Sequence, residues 1–273
     1  MSSPVRKLEP VTELKPQPMV AIDDVTMAFG SFVAVQNVNL RVGDGEFLSI
    51  VGPTGCGKST ILNAIAGLLK PAQGKVSIDG TAVQGVQNTI GYLFQQDALL
   101  PWKTAYQNVE LGLLFRGVPE DARRAKVTAW LEKVGLKGFG DRFPHQLSGG
   151  QRKRVQMAQA LITEPKVILM DEPFSALDIH TRHLMQNELL RLWQEDRRAV
   201  VMITHDLEEA IALGDRVVVL AAGPKSRVIE SFPVDLERPR NVAEIKLDPK
   251  FMTLYRDIWA SLRGEVEKSY ASR

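Results

Sequence analysis

The sequence predicts an α/β fold: a parallel sheet with helices on both faces, an antiparallel β unit in front, and a block of helices set into the middle. Three observations predict it. A short, mostly apolar strand at 46–51 runs into a glycine-rich loop and a helix, and strands resume at 166–170, 199–204 and Arg216–Leu220, each separated from the next by a helical pattern. Near the start, Val20–Phe29 and 33–42 alternate apolar and polar residues around Gly30 and Ser31, as a hairpin with one buried face does. From about 97 to 164, three segments (104–116, 120–134 and 150–163) keep helical spacing with no convincing strand between them.

In chain order, residues 1–18 carry four prolines and several charges but no apolar run, so they read as a flexible tail and not a signal peptide. The hairpin and strand 46–51 follow, then a helix over 58–69 ended by Lys70 and Pro71, and further strands at 74–79 and 89–95. The main domain is expected over 19–230, with the helical subdomain at about 97–164 inside it. The remainder, 231–273, is expected to be a helical extension. There, Phe251, Leu254, Tyr255, Ile258, Trp259, Leu262 and Val266 share one helical face, read as docked on the chain's own core; a dimer-stabilising or regulatory arm is the alternative.

A chain of 273 residues suits one domain with an embedded subdomain. Thirty-four basic against 32 acidic residues leave a charge of +2, no excess with which to neutralise a nucleic acid backbone. The single cysteine, Cys56, cannot form an internal disulfide, which fits a reducing compartment. No apolar stretch approaches the roughly 18–20 residues that span a bilayer, so any work at a membrane would pass through a partner.

The loop of Gly52, Pro53, Thr54, Gly55, Cys56, Gly57, Lys58, Ser59 and Thr60 has the spacing of a phosphate cradle. Its glycines let backbone N–H groups converge on an anion, and the helix that follows adds its positive end. Lys58 can reach the outer phosphates, and the Ser59 hydroxyl can ligate magnesium. Cys56 is read as a small side chain of that loop. The apolar strand 167–170 runs into Asp171 and Glu172, at the sheet end where ligands bind. Asp171 would hold magnesium through water, and Glu172 would orient or deprotonate an attacking water. A second anion site opens the helix after Leu147: Ser148, Gly149, Gly150 and Gln151. One nucleotide rarely needs two such nests, so the second is expected to serve ATP held by another copy of the chain.

With these motifs in this order, the chain resembles the nucleotide-binding subunits of ABC transporters over about residues 20–229. The resemblance implies a P-loop NTPase (RecA-like) core with an antiparallel β subdomain and an inserted α-helical subdomain, binding ATP and Mg²⁺. In family terms, 52–60 is Walker A, 147–151 the signature, 167–171 Walker B with Glu172 catalytic, and 175–178 the D-loop ending at Asp178. Gln95 stands at the Q-loop position, touching magnesium and water, and His205 at the switch-histidine position facing the γ-phosphate. Phe29 occupies the adenine-stacking position, often Tyr in the family. Gln159 replaces a usual arginine and Lys153 thickens a basic run; changed packing or salt bridging is expected of both. His145, His180 and His183 are expected to be structural or exposed.

The implied assembly is a head-to-tail dimer with two sandwiched ATPs, bound to permease subunits, peripheral on the cytoplasmic face of the plasma membrane and fed by a substrate-binding protein. Residues 99–102 (Leu-Leu-Pro-Trp) resemble the groove that accepts a coupling helix, though Trp102 could equally be subdomain core. Segments 100–109, 143–146, 222–227 and 254–259 resemble the nitrate/sulfonate/taurine (and bicarbonate) import branch. An importer of a thiamine-precursor pyrimidine or a soluble, non-transport ATPase of the superfamily are the alternatives. A P-loop kinase or GTPase leaves 147–151 unexplained.

Overall fold

The computed structural model describes residues 17–96 and 98–271. The expected tail, 1–18, lies outside them except for its last two positions. Strands β1 (Val20–Phe29) and β2 (Phe32–Val42) form the hairpin, turning at Gly30 with φ +60°. With β4 (Gln73–Ile78) and β5 (Thr81–Ala82) they make a four-stranded antiparallel sheet in the order β2-β1-β4-β5. The second sheet runs in the order β10 (Val228–Pro233), β9 (Arg216–Leu220), β3 (Phe47–Val51), β8 (Ala199–Ile203), β7 (Val167–Asp171) and β6 (Ile90–Leu93). Its members β3, β6, β7, β8 and β9 pair in parallel. The two strands expected at 74–79 and 89–95 therefore go to different sheets.

Strand periodicity divides the core in two. Phe47, Val51, Met170, Met202, Val217 and Val219 pack in one cluster with the apolar sides of the helices α2 (Ala105–Phe115), α3 (Glu120–Lys133), α4 (Gly149–Leu161), α5 (Ile179–Glu195), α6 (Leu207–Leu213) and α7 (Pro249–Ala271). Their strand neighbours Leu48, Ile50, Leu169, Val201, Ile203 and Val218 face the other way, onto α1 (Lys58–Ile65) and the antiparallel sheet. This two-sided burial explains why the parallel strands read as nearly continuous apolar runs.

Three features differ from expectation. Helix α1 stops at Ile65, not Leu69, because Gly67 turns left-handed at φ +74° and closes a Schellman cap: Gly67 N donates to Ala64 O (3.2 Å) and Leu68 N to Asn63 O (2.9 Å). A Cβ at position 67 would overlap Gly85 O, so a long-range approach fixes that glycine. Strand β10 (Val228–Pro233) was not foreseen; it pairs antiparallel with β9 at the sheet edge, and its mostly exposed residues show no apolar alternation. In α7, Phe251, Ile258 and Leu262 are buried and Leu254, Tyr255 and Val266 pack beside them, so that stripe docks on the chain's own core. Each fully buried member contributes roughly 2 kcal/mol. Trp259 departs from the stripe and is 44 % exposed.

Two arginines tie the segment before α7 to the end of α6. Arg240 Nη1 donates to Ile211 O, Ala212 O and Gly214 O (3.2, 3.3 and 2.6 Å), and Arg238 Nη2 donates to Leu213 O (2.6 Å). They satisfy carbonyls that a helix end leaves unpaired and place positive charge on its negative pole. Burial pushes the Arg240 guanidinium down to about 10, which still leaves it charged at neutral pH.

Candidate functional site

Strand β3 delivers the chain into the 52–60 loop. Gly55 and Gly57 are left-handed (φ +80° and +94°), and a Cβ on Gly57 would overlap Val35 Cγ1 of β2. At Gly52, a Cβ would come within 2.9 Å of Cys56 Sγ and 3.1 Å of Leu220 Cβ. Cys56 is fully buried, and that burial pushes its thiol pKa up against the lowering influence of Lys58 and of hydrogen bonds. It is packing, not a reactive thiolate. Lys58 Nζ donates to Gly52 O (2.9 Å) and Pro53 O (3.0 Å), so the loop's own carbonyls hold the ammonium.

Ser59, in the first turn of α1, hydrogen-bonds the Asp171 carboxyl at the end of β7. Burial leads in pushing the Asp171 pKa up and the Glu172 charge adds to it; the Ser59 bond and Lys58 oppose the rise. A carboxyl so placed is ready to accept a cation. Among the described residues no cluster of three or more His, Cys, Asp and Glu forms a metal cage. Ser59 and Asp171 thus fit a cation that completes its shell with phosphate oxygens and water.

Glu172, immediately after β7, takes φ +43°, unusual for a side-chain-bearing residue, and its N–H donates to Ile203 O (2.9 Å). Its carboxylate gathers two other segments. Gln95 Nε2 donates to Glu172 Oε2 at 3.2 Å, and His205 Nδ1 lies 3.0 Å from that same oxygen. Residues 77 and 33 positions away along the chain thereby meet on one atom beside the Ser59–Asp171 pair.

The remaining sequence candidates lie elsewhere. Ser148 caps α4 through a reciprocal box: Gln151 N donates to Ser148 Oγ (3.2 Å) and Ser148 N to Gln151 Oε1 (2.9 Å). The Gly149 and Gly150 amides, first in the helix, are left for an outside acceptor. No hydrogen bond or ion pair joins 148–151 to the 52–60 loop or to Glu172 among the described residues. Asp178 caps α5, accepting from Thr181 N (3.0 Å), and those bonds hold its carboxyl below the usual range. Phe29 ends β1, 49 % exposed and paired with Phe32 at the hairpin turn. His145 and His180 are exposed.

Trp102 is 70 % exposed, so it is not subdomain core. Its loop is pinned from beneath by buried Asn108, whose Nδ2 donates to Leu100 O, Lys103 O and Thr104 O (3.2, 3.0 and 2.9 Å). Between β6, α2 and α4 opens a groove of about 640 Å³ lined by Tyr92, Phe94, Leu111, Phe115 and Gln159. Gln159, in the position usually held by arginine, is thus part of a groove wall. Phe115 is 83 % exposed.

Sequence reasoning missed Glu209, which is buried behind His205. Gln186 Nε2 donates to its Oε1 (2.8 Å), Thr204 also bonds it, and Gln186 Oε1 is buried without a donor. The Asp206-x-x-Glu209 spacing marks a helix start, and Asp206 does cap α6, but the glutamate side chain turns into the core. Burial is the main cause of its raised pKa; the bonds from Thr204 and Gln186 oppose it. Between the ordinary carboxyl value and this raised one, the folded chain keeps a proton the unfolded chain has lost, so stability falls as pH rises through that window. Glu209→Gln removes the titration. Its stability relative to wild type should rise as pH climbs above the ordinary carboxyl value in urea unfolding; a pH-independent difference would mean that Glu209 titrates alike in both states.

Residues 35–175, just over half of the chain, match the ABC transporter family. The chain is 42 % identical over 247 residues to the nitrate import ATP-binding protein NrtD of Synechocystis, covering 89 % of this chain and 93 % of that one. It is 43 % identical over 237 residues to the taurine import ATP-binding protein TauB of Pseudomonas entomophila, covering 85 % and 91 %. Among solved structures it is similar to a dimeric ATP-binding cassette in a post-hydrolysis state bound to ADP and Pi, with TM-score 0.69, 37 % identity and coverage of 80 % of this chain and 100 % of that one. With its P-loop core and its ordered motifs, the chain belongs to the ABC transporter family, as one of its ATP-binding ATPase subunits.

Proposed function

We propose that two copies of this subunit close head-to-tail on two ATPs and drive a membrane importer for nitrate, taurine, a sulfonate or a related small anion. The observation that carries the hydrolytic part is the meeting of Gln95 and His205 on Glu172 Oε2, next to Lys58 and the Ser59–Asp171 pair. The glycine-bearing loop 52–60 cradles the phosphates, with Lys58 exchanging its loop carbonyls for phosphate oxygens. Ser59 and Asp171, with Gln95 beside them, would hold Mg²⁺, which when bound neutralises phosphate charge. Glu172 orients the attacking water for in-line displacement, and His205, poised on the same carboxylate, faces the γ-phosphate. Phe29 offers its exposed ring to the adenine.

The unpaired amides at 149–150, with Ser148 and Asp178, serve the nucleotide of the second copy, as the dimeric cassette among its structural neighbours supports. No helix among the described residues is long and apolar enough to cross a membrane, so work passes to permease subunits. The groove beside Phe94 and Phe115, with exposed Trp102 on the loop leading into α2, suits an amphipathic helix from such a subunit. The names of the nitrate and taurine relatives support import of a small anion; on this reading a separate binding protein delivers it to the permease.

The docking part is tested by Trp102→Ala and Phe115→Ser. Both should leave ATP turnover of the free subunit within about twofold, since exposed positions far from packing features rarely perturb a fold. Capture of the permease subunits and transport in proteoliposomes should be lost. Unchanged capture and transport would return both aromatics to plain surface.

A further inference from the structure

We infer that Arg182 is a positioning residue for hydrolysis, clamping the 175–178 segment to the His205–Asp206 turn so that His205 is held against Glu172. The inference rests on the hydrolytic roles proposed above for Glu172 and His205. Arg182 lies in the first turn of α5, which Asp178 caps at the end of the 175–178 segment. Its Nη2 donates to Leu177 O at 3.0 Å, and its Nη1 lies 3.6 Å from Asp206 Oδ2. The two oxygens of Asp206 have separate tasks: Oδ1 accepts from Glu208 N and Glu209 N (2.9 and 3.1 Å) to start α6, while Oδ2 faces Arg182.

These contacts close a ring. Ser175 Oγ donates to the Glu172 carbonyl (3.0 Å), the chain continues to Leu177, Arg182 bridges to Asp206, and the adjacent His205 returns to Glu172 Oε2 (3.0 Å). The ring encloses a small cavity also bounded by Thr204 and Glu209. A displaced 175–178 segment therefore pulls on both partners of the Glu172–His205 pair, on one through its backbone and on the other through Arg182.

A plain structural ion pair is the rival account, and the geometry disfavours it. The pair is long, at 3.6 Å, and both side chains stay partly exposed (28 and 33 %), conditions in which such pairs add little stability. Arg182 Nε is buried without a partner, so no better-matched acceptor explains the placement of the guanidinium. What the site does use is the planar fork: two nitrogens reach a carbonyl and a carboxylate on different segments, which the single ammonium of lysine cannot do in the same geometry.

Arg182→Met and Asp206→Asn, alone and combined, test the clamp in the full-length protein. Asparagine still caps α6 but gives up the charge facing Arg182. Each single variant should lower kcat for ATP roughly 10- to 100-fold, as misplacement of a reacting group does, with KM within about threefold. Melting temperatures should stay near wild type, and the double variant should be no slower than the worse single one. Arg182→Lys, which retains folding if Met does not, should recover only part of the rate. The inference is overturned if kcat is unchanged, if it falls together with melting temperature and ATP affinity, or if the two losses multiply. Glu172→Gln run in parallel separates the two levels: normal turnover there removes the hydrolytic reading itself. Normal turnover in Arg182→Met beside an inactive Glu172→Gln removes only the clamp.

Discussion

Glu172→Gln should lower ATP turnover by about 10²- to 10⁴-fold, the range expected when a general base is removed, equivalent to about 2.7–5.4 kcal/mol of barrier. The substitution is nearly isosteric. The amide oxygen can still accept from Gln95 Nε2, and the backbone bond from Glu172 N to Ile203 O is untouched. Position 172 already holds a side-chain-bearing residue at φ +43°, and glutamine tolerates that conformation as glutamate does. What changes is charge: the site loses the acceptor for a proton from water. Binding elements at 52–60 and 148–150 remain, so ATP should still bind and close the dimer, which then fails to reopen. Size-exclusion chromatography with ATP should show an accumulated dimer that ADP does not support. Normal turnover would take Glu172 out of its proposed role, and a monomer with bound ATP would separate closure from nucleotide binding.

The legible parts of this molecule are those whose chemistry is contiguous. The 52–60 loop announces itself because left-handed glycines, a lysine and a hydroxyl must follow one another to wrap a phosphate, and Gly55 and Gly57 are indeed left-handed. The parallel strands are equally plain, since burial on both faces makes them apolar throughout. Edge strand β10 gave no such signal: most of its residues face solvent, and its place comes from pairing with β9. The early stop of α1 depends on Gly85 approaching Gly67, a tertiary contact with no local mark. Trp259 fits a helical stripe by spacing, yet helix rotation leaves it in solvent. In the site, Gln95, Glu172 and His205 could be named separately from motifs, but their meeting on one oxygen follows from strand order: β6, β7 and β8 are neighbours in the sheet, and each residue follows one of these strands. Arg182 and Glu209 carried no motif pointing to this cluster, and only packing brings them behind His205.

Ser148→Arg should abolish ATP-driven dimerisation and reduce turnover by about 10²-fold or more, while each monomer binds ATP as before; a bulky cation would sit where an incoming phosphate must approach the Gly149–Gly150 amides. One confounder is built into the position. Ser148 Oγ accepts from Gln151 N, and losing an N-cap costs about 1 kcal/mol by itself. Two companions resolve this. Ser148→Ala loses the cap and leaves the space open, so it should be destabilised yet still dimerise. Ser148→Asp keeps a strong cap but sets a carboxylate against the phosphate, so it should stay stable and fail to close. Mixing then asks whose nucleotide the site serves. A Ser148→Arg copy retains a sound 52–60 loop, and a Lys58→Ala copy retains a sound 148–151 segment. In a head-to-tail dimer of the two, one composite site is whole. A one-to-one mixture should therefore regain turnover, up to about half of wild type, since only mixed dimers close and each carries one whole site of two. A site completed within a single chain has no such rescue: the mixture would then be as inactive as its parts.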